Sequence, residues 1–326
     1  MDENNKFKIV GQGQQPQQTT YVPETKINDI DDVSVPAIID DNIDEGRDIR
    51  GGIAGLSVEE IKDPNQIVVN ISDPSPIIIL FGARTSGKTM TLIRLTRYLL
   101  SIGCQVIPDR TFRPAYDEHY TRMCDNFSQL ITSNTSADGN DVISFMLVKV
   151  LDHIGRPLCQ ILEAPGEHYF DKKDPNRAFP TYINQICAFA NRKTWMFIVE
   201  QDWGDDQSDR NAYAQKIQSM QAKLQPSDRI IFICHKVDKL PQLMLPNGKP
   251  NVKQLFRNID NQYPGIFINY KNHNPITSFF KPYRFDFVAF SAGSFNDILN
   301  GGQIYTPGRD YYPATLWQSI MKSIKG

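Results

Sequence analysis

Residues Gly82-Ala83-Arg84-Thr85-Ser86-Gly87-Lys88-Thr89 follow the pattern Gly-x-x-x-x-Gly-Lys-Thr, and their flanks give that pattern meaning. Ile77-Ile78-Ile79-Leu80-Phe81 precedes them, a short continuous apolar run of the kind found in a strand buried on both faces. Residues 89–100 follow, with Leu92, Leu95 or Thr96, and Leu99 on one helical face. Between a strand and a helix, Gly82 and Gly87 let the backbone curl with its N–H groups pointing inward, and the helix start adds its positive dipole end. Lys88 can reach terminal phosphates as a point charge, and the Thr89 hydroxyl can sit on Mg²⁺. All eight residues are candidate phosphate ligands.

The same alternation continues along the chain. Residues 142–150 and 158–162 read as strands flanking a hairpin loop at 152–157, and Trp195-Met196-Phe197-Ile198-Val199 as another buried strand. Residues 210–224 read as a helix capped by Ser208 or Asp209, 229–234 as a strand, 252–261 as a helix, 285–290 as a strand and 314–324 as a closing helix. Strands alternating with helices imply an α/β fold: a mostly parallel sheet with helices on both faces, to which the hairpin adds one antiparallel edge strand.

Charge divides the chain. Residues 1–72 carry six basic and fourteen acidic side chains, and the remainder is net +6. The acidic stretch from Asp29 to Glu45 has no aromatic residue, so it has little to bury against its ordering entropy. We expect 1–72 to be a flexible tail, or an arm that folds onto a partner or onto the basic domain behind it. The domain proper is expected at 73–326. Near-neutral net charge gives no argument for nucleic-acid binding, and no apolar run approaches the roughly 18 residues of a membrane span. The five cysteines are scattered without a Cys-x-x-Cys pair, which points to a reducing, cytoplasmic compartment, and the five histidines lack metal-ligand spacing.

Three later segments each follow an expected strand, where ligands bind in open α/β sheets. They are Glu163-Ala164-Pro165-Gly166, His235-Lys236-Val237-Asp238 and Ser291-Ala292-Gly293. With the phosphate loop they resemble, in order, the signature set of the Ras-like small GTPases, a P-loop NTPase family, over most of residues 75–326. The resemblance implies GTP or GDP as ligand, with Mg²⁺ held by Thr89 and Glu163 and the Gly166 N–H at the γ-phosphate. It implies a guanine-reading role for His235, Lys236 and Asp238, and a contact from Ser291, Ala292 and Gly293 to the guanine carbonyl. An Asp238 carboxylate would accept from the guanine N1–H and 2-amino groups, a donor pair adenine lacks.

The chain departs from the family pattern in several places. Glu163 stands where the family has aspartate, and His235 where it has asparagine. Glu167 follows the glycine where the family commonly has a water-orienting glutamine, and His168 is the neighbour that could take over that task. Insertions near 108–141 and 240–284 resemble those of divergent bacterial members. The first covers the family's switch threonine, for which Thr135 is the candidate and Thr111 the alternative. The expected function is a slow GTP-hydrolysing switch whose nucleotide-dependent segments are read by a protein effector or regulator. The alternative is a degenerate GTPase-fold adaptor that binds nucleotide weakly or not at all.

Overall fold

In the computed structural model the described residues are 55–132, 145–201, 206–297 and 303–325. Their strands are β1 (Ile77–Phe81), β2 (Gln105–Pro108), β3 (Met146–Leu151), β4 (Pro157–Glu163), β5 (Lys193–Glu200), β6 (Arg229–His235), β7 (Phe285–Ala289), β8 (Gly293–Asp297) and β9 (Gln303–Pro307). The helices are α1 (Val58–Lys62), α2 (Lys88–Ser101), α3 (Glu118–Thr132), α4 (Gly166–Tyr169), α5 (Thr181–Ala188), α6 (Gln207–Ser219), α7 (Val252–Gln262), α8 (Thr277–Phe280) and α9 (Tyr311–Lys325).

Seven strands form one sheet in the order β2-β3-β4-β1-β5-β6-β7, and β8 and β9 form a separate hairpin. The order places β1 at the centre, paired in parallel with β4 and β5, and the parallel run continues through β6 and β7. The expected antiparallel strand is β3, which pairs antiparallel with β4. It is not the last strand: β2, which the sequence pattern did not reveal, pairs antiparallel with β3 and forms the edge.

Register gives the sheet two chemically different faces. Phe81, Phe197 and Phe232 lie on one face, with Phe81 opposite Phe197 and Phe197 opposite Phe232. That aromatic face packs under α6 and α7: the Phe81 ring lies 6.5 Å from Tyr213 of α6, and Phe232 lies 4.8 Å from Phe267 just beyond α7. The opposite face meets α9, where Thr194 Oγ1 shares a 2.9 Å hydrogen bond with Ser323 and Ser319 Oγ donates to Asp286 at 3.1 Å. Helices therefore cover both faces, as the alternating pattern required. Strands β1, β5 and β6 are buried along nearly their whole length, which is why they read as continuous apolar runs.

Packing also begins before residue 73. Leu56, Ile67, Val69 and Ile71 are buried in the core, and α1 is closed by a capping box between Ser57 and Glu60. Glu60 and Asp117 both pair with the buried Arg113 guanidinium, which also donates to Val68 O at 2.5 Å. Residues 56–71, which charge alone assigns to the tail, therefore contribute core side chains. The 108–141 insertion contains α3, whose Tyr120, Met123, Cys124, Phe127 and Ile131 are buried.

Candidate nucleotide-binding site

The parallel strands β1, β4, β5, β6 and β7 all end at one edge of the sheet, and every sequence-predicted segment in the described residues emerges there. The Gly82–Gly87 turn leaves β1, and α2 begins at Lys88, so its first N–H groups have no acceptor within the helix. The turn needs unusual backbone. Gly87 caps α2 with φ +88°, and Thr85 holds φ +62°, a conformation β-branched residues rarely adopt. Among the described residues only one other non-glycine, Lys236 at φ +58°, has positive φ, and it lies beside the same turn.

The Lys88 ammonium is buried and donates to Ala83 O at 3.1 Å. Burial lowers its pKa, and the carboxylates of Glu163, Glu167 and Glu200 oppose that shift. The Thr89 hydroxyl donates to Glu163 Oε1 at 2.9 Å, which joins the loop to the end of β4. Burial pushes the Glu163 carboxyl up, against the charge of Lys88 and the hydrogen bond from Thr89. Glu163 Oε2 and Ser86 Oγ are buried with no hydrogen-bond partner. Such orphaned acceptors beside a buried cation fit a site completed by a bound group. The donors, the hydroxyl and the carboxylate suit a phosphate chain and a hard cation such as Mg²⁺.

Beyond β4, Gly166 starts α4 and lies directly on the loop. An ideal Cβ there would overlap the Arg84 nitrogen and the Ala83 carbonyl, so the glycine is required by close approach. Glu167 is half-buried. His168 differs from its expected place beside a reacting water: its Nδ1 is 2.8 Å from the Tyr182 hydroxyl of α5, and the ring is buried. Burial first, then the charges of Arg177 and Lys88, lower its pKa to about 3, so the ring is neutral at ordinary pH.

At the end of β6 the His235 ring lies against Gly87. An ideal Cβ on Gly87 would come 2.5 Å from His235 Cε1. Neither ring nitrogen of His235 has a hydrogen-bond partner, and the contact with the loop is one of packing. Burial, then Lys236 and Lys239, lower the His235 pKa to about 3. Lys236 Nζ pairs with Glu200 Oε2 at 2.6 Å and lies 3.4 Å from Thr85 O, so the segment is tied to the loop twice. Asp238 sits in the one-turn helix Val237–Lys239 with its carboxylate exposed. Ser291 and Ala292 are buried, and the Ala292 carbonyl accepts from the Tyr305 hydroxyl at 2.5 Å and from Gly308 N at 3.0 Å. Gly293 opens the β8–β9 hairpin with φ +133°.

Thr135 lies outside the described residues. Thr111, its alternative, donates to Asp109 Oδ1 at 2.7 Å. Glu200 was missed by motif reasoning. Its position at the end of a buried strand that borders the loop strand was the available signal.

No protein-family model matches the chain, and no curated protein matches it either. Solved structures are similar at low identity. A Plasmodium falciparum structure described as nucleolar GTP-binding protein 1 is 16% identical, with 79% of this chain and 90% of that chain covered and a TM-score of 0.38. The signal recognition particle receptor SRb-GTP/SRX complex of Chaetomium thermophilum is 12% identical, with 76% and 99% covered and a TM-score of 0.38. The Saccharomyces cerevisiae Ski7 GTPase-like domain, bound to GDP and inorganic phosphate, is 14% identical, with 76% and 50% covered and a TM-score of 0.39.

Proposed function

We propose that this chain binds a guanine nucleotide at the carboxyl edge of its sheet and acts as a slow GTP-hydrolysing switch. The observation that carries this reading is the double attachment of the His235-Lys236-Val237-Asp238 segment to the phosphate loop, through the Gly87–His235 packing and the reach of Lys236 to Thr85. A base-reading element must stand at a fixed distance from the phosphates, and these two contacts would hold it there. Lys88 and the α2 N-terminus would hold the phosphates, the Lys236 stem would lie against the base, and the exposed Asp238 would accept from guanine. The Ser291-Ala292-Gly293 backbone borders the same end of the sheet and would meet the guanine carbonyl. Thr89 and Glu163 would hold Mg²⁺, which when bound neutralises charge on phosphate oxygens. Gly166 touches the loop, and the segment it opens is the part a γ-phosphate would move, giving an effector something to read.

A second reading has its own observation. Lys88 donates to the loop carbonyl of Ala83, and Gly166 rests on the loop backbone. A degenerate adaptor that keeps the fold without nucleotide would be built this way. An ATPase is disfavoured because adenine presents no donor pair to the accepting carboxylate of Asp238.

Titration with fluorescent GDP and ADP separates these readings. GDP binding with ADP excluded supports guanine recognition, and tight binding favours the switch over a weakly binding adaptor. Equal or better ADP binding overturns it, and failure of both to bind leaves the adaptor. In a binder, Asp238→Asn is expected to weaken GDP and improve xanthosine diphosphate, because the carboxamide donates to the xanthine oxygen that replaces the guanine amino group.

A further inference from the structure

Residues 272–282 form a loop whose base is closed by antiparallel pairing. Lys271 and Tyr283 are bridge partners, Asn272 N donates to Pro282 O at 2.8 Å, and Arg284 N donates to Tyr270 O at 2.8 Å. The base is anchored in the core. The Tyr270 hydroxyl donates to Ile217 O at 2.5 Å, and the Tyr283 ring lies 5.0 Å from Phe285. The loop holds its own shape through Asn272 and Asn274, whose side-chain oxygens accept from Asn274 N at 3.2 Å and Ile276 N at 3.0 Å.

Its tip carries what a soluble surface ordinarily hides. Ile276, Phe279 and Phe280 are 76%, 85% and 83% exposed, and the two phenylalanine rings meet edge-on at 5.2 Å as one patch. They bury almost nothing in the fold, so packing does not explain them. Around the base stand Lys271, Lys281 and Arg284, all exposed. Between Asp260 and Asp286 the sequence has no acidic residue. Asp286 is half-buried behind the loop and takes both Lys281 and Lys322, at 3.4 and 3.1 Å, so the cations outnumber the carboxylate.

We propose that this loop docks the protein on an anionic phospholipid bilayer. The order of chemistry along the projection matches the order of depth in a membrane leaflet. The apolar tip enters the boundary of the acyl chains, and the basic collar stays at the level of the phosphates and carboxylates of the head groups. An exposed apolar tip above a basic base is complementary to that surface, and the hydrogen-bonded base ties the tip to the rest of the protein. This inference does not rest on nucleotide binding at the other site.

The test is co-sedimentation of the full chain with phosphatidylcholine vesicles with and without phosphatidylserine, at physiological salt. Binding is expected only with phosphatidylserine and should weaken as salt rises. The double variant Phe279→Ser/Phe280→Ser should lose about tenfold or more in partitioning, and Lys271→Ala/Lys281→Ala a similar amount. Neither pair is in the core, so the urea midpoint should be unchanged, which keeps the result interpretable. Wild-type protein that stays in the supernatant, or a phenylalanine variant that sediments like wild type, overturns the proposal. So does a lipid-free wild-type dimer that the phenylalanine variant converts to monomer, because a second copy would then cover the tip.

Discussion

The His235 ring fills the space into which a Cβ on Gly87 would project, 2.5 Å from His235 Cε1. Two independent constraints therefore bear on Gly87: its left-handed backbone at φ +88°, and the imidazole above it. Gly87→Ala is expected to cost about 2–5 kcal/mol, from roughly 1–2 for the left-handed alanine and roughly 1–3 for the overlap. Adding His235→Ala should recover the overlap part only. Urea unfolding of the two singles and the double gives the coupling. If the losses simply add within about 0.5 kcal/mol, the contact does not limit the loop.

The two buried histidines make stability depend on pH. His168 and His235 have pKa values lowered from 6.5 to about 3. For a lowered pKa, the stabilisation is fully present above the unfolded value and lost as pH falls through the folded one, because the unfolded chain takes up the proton first. Between neutral pH and about pH 4.5 each histidine should cost on the order of 2–3 kcal/mol. His235→Asn and His168→Gln should each flatten the wild-type pH dependence by roughly that amount. Urea midpoints at both pH values measure it. Unchanged slopes in both variants would mean that the rings are solvated.

The amino-terminal boundary of the fold is testable by truncation. Leu56, Ile67, Val69 and Ile71 are buried, and Glu60 pairs with buried Arg113. Losing four buried aliphatic side chains removes about 6–12 kcal/mol, comparable to the whole stability of a domain. A chain beginning at residue 73 should be insoluble or unfolded by circular dichroism, whereas one beginning at residue 55 should unfold cooperatively. Equal behaviour of the two would place residues 56–71 outside the cooperative unit.

Burial decided what could be read in the sequence. Strands β1, β5 and β6 are covered on both faces, so their apolar runs stood out, and the loop after β1 carried its own motif. Strand β2 is four residues long with only Val106 buried, too short to establish a period. Helix α3 had a usable signal, since Tyr120, Cys124, Phe127 and Ile131 recur at helical spacing after Asp117, whose carboxylate accepts from Tyr120 N. The place of Glu200 at a strand end was legible, but the pairings of His168 and Glu200 were not. Each depends on a partner remote in sequence, Tyr182 for one and Lys236 for the other, and neither pairing leaves a local pattern.

Lys88 is a buried cation that donates to the loop carbonyl of Ala83, and burial lowers its pKa. Keeping such a charge out of water has a cost that a phosphate would offset. Lys88→Met is expected to leave the ligand-free midpoint unchanged or higher, while nucleotide affinity drops by roughly tenfold to a hundredfold through loss of charge-assisted hydrogen bonds. A folded variant with wild-type affinity for fluorescent GDP would remove Lys88 from the phosphate site.

Hydrolysis at this site would turn on the two residues after Gly166, Glu167 and His168. Water attack on a γ-phosphate is helped by a neutral group that orients the water, and hindered by added negative charge where the transition state already spreads it over phosphate oxygens. Glu167 is half-buried, and its charge reaches Lys88, so it stands near the phosphate position with the wrong sign. His168 would be neutral and suitable, but its Nδ1 is engaged with the Tyr182 hydroxyl at 2.8 Å and its ring is packed in the core. Unassisted turnover should therefore be on the order of 10⁻³ s⁻¹ or slower. Glu167→Gln should raise the single-turnover rate several-fold, since it replaces the charge with an amide of the same reach. His168→Ala should lower stability and leave the rate nearly unchanged. Single-turnover GTP hydrolysis with Mg²⁺ decides between the two side chains. A wild-type rate above roughly 1 s⁻¹, in the range of ordinary enzymes, would end the slow-switch reading. A large loss of rate in His168→Ala alone would show that the ring leaves Tyr182 when nucleotide binds and that His168 positions the water.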